Sequence, residues 1–314
     1  MQKTVLLLIA TLAFGSYTYS QTHSELPVYP FSYDSYLIMT EGVINDSINA
    51  RFCIDTGASS ISLSKEFVGK HAINKKELRP CFWAGGAGDG DSGAEVAYET
   101  LNCYVAGHTY TEPSYKVYGS ISSYDALFGI EPPQQLTLEV YYDTKQFRLY
   151  PGKPQLKFDK SWTRIKCKDH LAQITIPLKI KIGGKTISGH FLFDTGSAHA
   201  IFLTAQTARD YKLTEMDVRK WKAALGLSGT SEGATIQSES IKLGKDEFKD
   251  VDIHFAYDRQ GALAGNDLYL GIIGNKIFEK YDVVVDYVGL YVYIRPNSLH
   301  QTPIITMSPR FEYE

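Results

Sequence analysis

The feature that most constrains this 314-residue chain is that it repeats itself. The tripeptide Asp-Thr-Gly stands at 55–57 and again at 194–196, an offset of 139 residues (194 − 55). At ordinary usage, with Asp and Thr each near one residue in twenty and Gly near 7%, two chance occurrences arise about once in a thousand chains of this length. The order of the surrounding features is more telling than the tripeptides. Each copy opens with a strand pair around a turn: 36–39 and 50–54 about Asn45-Asp46, then 176–182 and 190–193 about Gly183-Gly184. The alternation from Leu178 to Ile182 is that of a half-buried strand.

After each tripeptide the pattern gives a strand and then a short helical stretch, at 64–68 and 204–211. The second copy adds 217–225, where Val218, Trp221 and Leu225 fall at helical spacing and Asp217 is a candidate cap. A Gly-rich segment follows in each copy, 84–93 and 226–233, and both read as hairpin tips. Next come the apolar pairs ending in glycine, Leu127-Phe128-Gly129 and Ile272-Ile273-Gly274. They lie 74 (129 − 55) and 80 (274 − 194) residues beyond their aspartates. Each copy closes with a hairpin, and 141–150 aligns by eye with 284–293, placing Asp143 opposite Asp286 at turn positions. The expected fold is all-β with a few short helices, in two lobes related by a pseudo-two-fold axis. The lobes are read as 21–155 and 156–296, with a polar, proline-bearing linker near 151–162 and a tail at 297–314 without a clear period.

The N-terminus reads as an address. Lys3 precedes an apolar run of 11 residues from Val5 to Gly15, and Thr18 and Ser20 suit a cleavage site before Gln21. Residues 1–20 are therefore expected to be a signal peptide and the mature chain to be exported, periplasmic or extracellular. A membrane helix needs about 20 apolar residues; this run is shorter, and no later stretch reaches that length. A net charge of −3 leaves no basic surface for nucleic acid. Four cysteines, Cys53, Cys81, Cys103 and Cys167, allow three pairings. Cys81 and Cys103 flank the first Gly-rich segment almost symmetrically, as partners across a hairpin would, and are the favoured pair. No C-x-x-C spacing or histidine cluster suggests a metal.

The stretches Phe52-Cys53-Ile54-Asp55-Thr56-Gly57-Ala58-Ser59-Ser60 and Phe191-Leu192-Phe193-Asp194-Thr195-Gly196-Ser197-Ala198 resemble the active-site loops of the pepsin/retropepsin-like aspartic peptidases. The apolar-apolar-Gly elements resemble the strands that flank those loops. In lobe size the likeness is to the retropepsin-like subset, here two lobes in one chain. The resemblance implies an aspartic endopeptidase with Asp55 and Asp194 as catalytic carboxylates, peptide or protein substrates, no cofactor or metal, and activity as a monomer. It implies that Thr56 and Thr195 bond the opposite loop, and that the Gly-rich segments are flaps (Gly85, Gly86, Gly88 and Gly229). Pepsin-like enzymes usually carry a tyrosine near one flap tip; here Tyr98 lies toward the base and Trp83 precedes the tip.

The residue chemistry agrees. Hydrolysing an amide without a metal or a nucleophilic side chain needs a base for water and an acid for the carbonyl oxygen. Two adjacent carboxylates cannot both stay ionised, so the pair divides into those two roles. Gly57 and Gly196 allow close backbone approach, with N–H groups aimed at the charged form. Ser197 has a hydroxyl to offer Asp194, where Ala58 offers Asp55 none, so the two carboxylates are expected to differ. A non-catalytic peptide-binding protein of the same fold is the alternative, which Asn or Ala at either aspartate would have favoured.

Overall fold

The structure is a computed structural model describing residues 26–74, 76–81, 85–90, 92–119, 123–170, 173–305 and 312–313; for 222–225 and 312–313 only the backbone is described. Residues 1–20, expected to form a signal peptide, lie outside these residues, as does Trp83. The protein is built on three sheets. Residues of the first repeat form a ten-stranded sheet and those of the second an eleven-stranded one. A six-stranded sheet draws on both. At its centre Leu136–Tyr141 runs antiparallel to Tyr281–Asp286, with Leu138 opposite Val285. The closing hairpins of the two repeats thus meet strand to strand. The helices Lys65–His71, Ala205–Asp210 and Asn275–Phe278 are short. The all-β, two-lobed expectation is borne out.

Local chemistry explains the repeated features. Asn45 and Asp46 take φ of 46° and 65°, and Gly183 and Gly184 take 54° and 73°. Successive left-handed residues give the primed turns that suit the twist of paired strands. The apolar-apolar-Gly strands fill the middle of each large sheet. Ala126–Gly129 lies parallel to Ile48–Asp55 and antiparallel to Ile61–Ser64, so Gly129 stands beside Asp55. Gly271–Ile273 does the same between Lys185–Phe193 and Ile201–Leu203. Fully buried residues such as Leu127, Phe128 and Ile273 suit strands covered on both faces. Glycine stands at the end of the first strand (Gly129) and directly after the second (Gly274) because the Asp-Thr-Gly loop passes over it. A Cβ on Gly129 would lie 2.8 Å from the Ala58 carbonyl oxygen, and one on Gly274 2.6 Å from that of Ser197.

Three expectations are corrected. Residues 219–226 form a strand, not a helix, pairing antiparallel with Gly229–Gln237. Trp221 stands opposite Gly233, where a Cβ would meet its ring at 2.5 Å. A bulge between Lys222 and Ala224 breaks the two-residue period that would otherwise mark the strand. The closing hairpins superpose two residues away from the alignment by eye. Tyr141 pairs with Gln146 and Asp286 with Tyr291 across four-residue turns, whose last residues, Lys145 and Leu290, take φ of 54° and 56°. Asp286 therefore matches Tyr141, and Tyr287 matches Tyr142. The Asp286 carboxylate accepts the turn N–H groups of Val288 and Gly289, while Asp143 binds Ser298. Finally, no disulfide joins Cys81 to Cys103, and none involves Cys53 or Cys167. Cys103, on Leu101–Val105, packs into the main core, and Cys81 into a separate cluster with Leu37, Met39 and Leu127.

The short helices following the Asp-Thr-Gly strands are started by side chains. Ser64 Oγ accepts the Phe67 N–H at 3.1 Å and Thr204 Oγ1 accepts that of Thr207 at 3.2 Å. Ser64→Ala and Thr204→Ala should each lower unfolding free energy by about 1 kcal/mol in denaturant titration. An unchanged midpoint for both would contradict the capping role.

Candidate active site

Asp55 ends the strand Ile48–Asp55, and Asp194 directly follows Lys185–Phe193. The parallel arrangement carries both turns to the junction of the lobes, where the threonines interlock. Thr56 Oγ1 donates to the Phe193 carbonyl (2.8 Å) and accepts the Thr195 N–H (3.0 Å). Thr195 Oγ1 donates to the Ile54 carbonyl (2.8 Å) and accepts the Thr56 N–H (3.1 Å). Both threonines are fully buried. Gln173 adds a bond from its amide to the Gly57 carbonyl.

This clamp brings the carboxylates together. Asp55 and Asp194 are hydrogen-bonded to each other. Each glycine faces the opposite carboxylate: a Cβ on Gly57 would lie 2.5 Å from Asp194 Cγ, and one on Gly196 would clash with Asp55. Burial raises both carboxyls above the usual range. Asp194 is raised further by the Asp55 charge and by the hydrogen bond to Asp55, whereas that same bond lowers Asp55. Asp55 Oδ1 also accepts two backbone N–H groups, from Gly57 (2.8 Å) and Ala58 (3.0 Å). Asp194 Oδ1 accepts Gly196 N–H at 2.8 Å, and Ser197 acts on it through its backbone N–H. The arrangement favours one proton shared by the pair.

The Gly-rich segments meet over the junction. Arg219–Gly226 and Gly229–Gln237 form a hairpin with Leu227-Ser228 at its tip. The first-lobe segment is instead a long connection between the short strands Arg79–Pro80 and Glu95–Ala97. It lies on the second lobe. Ser228 N–H donates to the Ala87 carbonyl (2.9 Å), Gly90 N–H to Ser228 (2.9 Å) and Asp89 N–H to Thr230 (3.2 Å). The Asp89 carboxylate accepts the backbone N–H groups of Arg259 and Gln260 and the Arg259 guanidinium. These contacts, led by the Arg259 N–H, hold its carboxyl below the usual range. Asp258 accepts Gly88 N–H and the Ser231 hydroxyl. Each lobe also lends the other an apolar side chain. Leu227 packs against the first-lobe cluster of Leu37, Met39, Tyr118 and Leu127, and Ala87 against second-lobe Leu192, Trp221, Tyr269 and Ile272. Burial and then nearby charge, Asp55 among it, push the Tyr118 hydroxyl up to about 12, and Asp194 likewise acts on Tyr269. The two clusters therefore flank the carboxylates, and the clasp joins them.

Comparison with known proteins agrees with this geometry. The Aspartyl protease family matches residues 178–276, which hold the second Asp-Thr-Gly turn and most of its sheet. The aspartic proteinase from Irpex lacteus superposes with a TM-score of 0.51 over 89% of this chain and 99% of that one. The chain has the fold of the aspartic peptidases. The sequence resemblance to that family is thereby borne out. At 12% identity the structural likeness is one of fold. A search of curated proteins finds no match.

Within this aspartic peptidase fold, the structure brings together Asp55, Asp194, Thr56, Thr195, Gly57, Gly196 and Ser197, and it brings Gly86 and Gly88 to the hairpin of Gly229. Gly85 adjoins the clasp with open space around it. Sequence reasoning missed Asp258, Arg259 and Gln260, which belong to a loop with no regular period. It also missed Lys116, whose Nζ grips the Ser59 carbonyl (3.1 Å) and hydroxyl (3.0 Å) from the neighbouring strand. Among the described residues no group of side chains has the make-up of a metal site.

Thr195→Val keeps shape but strands the Thr56 N–H and the Ile54 carbonyl. Two unsatisfied buried groups should cost about 2–4 kcal/mol, read by urea unfolding; a cost below experimental error would contradict the clamp. Asp89→Ala removes the carboxylate of the clasp. Amide exchange at Gly88, Gly90 and Ser228 should then quicken while exchange in Leu136–Tyr141 stays unchanged, and unaltered exchange at the three would show that Asp89 does not hold the clasp.

Proposed function

We propose that this chain is an aspartic endopeptidase that hydrolyses peptide bonds with a water activated by Asp55 and Asp194. The observation that carries the reading is the pair of buried, mutually hydrogen-bonded carboxylates at the junction of the lobes. Asp55, held ionised by two backbone N–H groups, takes a proton from water as the oxygen attacks the scissile carbonyl carbon. Asp194 gives its proton to the carbonyl oxygen, producing a neutral tetrahedral diol. Collapse returns a proton to the amide nitrogen, breaks the C–N bond and restores the shared proton. The substrate is a peptide in extended form between the two apolar clusters, with the clasp opening to admit it.

The mature chain acts after export and as a monomer, since one polypeptide supplies both halves of the dyad. Among the described residues no helix is long and apolar enough to cross a membrane.

The chain from Gln21 onward, incubated with mixed peptides across pH, should release internal cleavage products identified by mass spectrometry. Pepstatin should inhibit it. Asp55→Asn and Asp194→Asn should each lower kcat/KM by on the order of 10³-fold or more. Activity should peak where the pair holds one proton. As pH rises through the elevated titration of Asp194 the proton is lost and the rate falls, above the usual carboxylate range. At acid pH both groups are protonated and the rate falls again. No cleavage at any pH, or full activity in either variant, defeats the proposal; peptide binding without turnover would leave a binding protein.

A further inference from the structure

The two Asp-Thr-Gly turns are not supported alike. Asn275, fully buried, lies under the Asp194 turn. Its Nδ2 donates to the Thr195 carbonyl (2.6 Å) and to the Tyr36 carbonyl (2.8 Å). Its Oδ1 accepts the hydroxyl of buried Tyr142 at 2.7 Å. Its backbone N–H donates to the Ser197 carbonyl at 2.9 Å. Every polar group of the side chain is thus engaged, and two of its contacts lie on the loop that carries Asp194.

The first repeat lacks this prop. Gly129 lies beside Asp55 as Gly274 follows the strand beside Asp194, so the position matching Asn275 is Ile130, a buried aliphatic residue. Tyr287 matches Tyr142, yet its buried hydroxyl has no hydrogen-bond partner among the described residues. The Asp55 turn is held instead by Lys116 on Ser59, and the Glu131 carboxylate accepts the Ser60 N–H. One turn stands on a neutral, fully bonded amide, the other on charged side chains.

We propose that Asn275, fixed by Tyr142, is a positioning residue that holds the Asp194 turn in reacting geometry and makes the two carboxylates non-interchangeable. The inference rests on the proposed peptidase reading. Asn275 touches no substrate and acts through the Thr195 carbonyl, whose residue also carries the clamp. Displacing a reacting group by a fraction of an ångström is enough to cost an order of magnitude or more in rate.

The experiment compares Asn275→Ala, Tyr142→Phe and Tyr287→Phe with wild type, using kcat per active site counted by pepstatin titration. Asn275→Ala should lower kcat about tenfold or more with KM within about twofold. Tyr142→Phe should lower kcat about threefold. Tyr287→Phe, the equivalent loss of a hydroxyl on the other side, should leave kcat unchanged. Amide exchange at Gly196 and Ser197 should quicken in the first two variants, with Gly57 and Ala58 unaffected. Unchanged kcat per titrated site in Asn275→Ala, or equal losses from the two tyrosine variants, would overturn the inference. If wild type cleaves nothing, the peptidase reading fails, and exchange alone then decides whether Asn275 positions the turn: no selective change at Gly196 and Ser197 overturns it.

Discussion

The rest of the structure depends on two threonines that each bond the backbone of the other lobe. A carboxylate taken out of water costs several kcal/mol unless it is compensated. Here two are taken out together, and compensation requires them to share a proton at hydrogen-bond distance. The exchange between Thr56 and Thr195 supplies that distance, because each hydroxyl bonds both the N–H of the other threonine and the carbonyl two residues before it. Glycine at 57 and 196 is then compulsory, since the opposite carboxylate fills the space a side chain would need. The six-stranded sheet acts further down the same interface, its central pairs Leu138–Val285 and Val140–Val283 tying the repeats together with backbone bonds and buried aliphatic contact.

The clasp is a second interlobe contact of different character. The threonine clamp is buried, whereas Arg259 is 87% exposed and its ion pair with Asp89 is screened by solvent. Backbone bonds around Ala87, Gly88, Gly90 and Ser228 carry the contact instead. Gly226 and Gly261 permit it, because a Cβ on either would run into the carbonyl groups of the opposing segment. An interface held by main-chain bonds between glycine-rich segments, with Ala87 and Leu227 as the apolar anchors among the described residues, opens at smaller cost than a packed core. That suits the proposed role of a cover over a site that admits a peptide.

How much of this was legible in the sequence follows from the range over which each feature is encoded. The Asp-Thr-Gly turns, the turns at Asn45-Asp46 and Gly183-Gly184, and the short helices near 64–68 and 204–211 are specified by residues within a few positions, and they stand where the sequence puts them. The strand at 219–226 was misread because a bulge shifts its phase, leaving Val218, Trp221 and Leu225 at a spacing that mimics a helix. The Cys81–Cys103 pairing failed because symmetry about a loop in sequence says nothing about which core each thiol enters. The closing hairpins match two residues away from the alignment by eye because the left-handed residues Lys145 and Leu290 fix the register, and no residue type marks those positions. Asn275 and the loop at 258–260 act over separations of 80 residues and more, where no local pattern reports them. One trace of Asn275 was present: the apolar-apolar-Gly element continues with Asn in one repeat and Ile in the other.

That difference shows what duplication within one chain makes available. When two identical halves assemble, whatever supports one carboxylate supports the other, and any difference between them must come from the substrate. When both halves lie in one chain, each position mutates alone. The positions that define the pair (aspartate, threonine and glycine in each turn, glycine at or directly after the end of each flanking strand) are the same in both repeats, because geometry leaves no other choice. The positions one layer beneath, such as Ile130 against Asn275, carry no such restriction. The reaction ascribed to the dyad needs an acid and a base at once, so unequal supports beneath equal turns are what such chemistry can exploit.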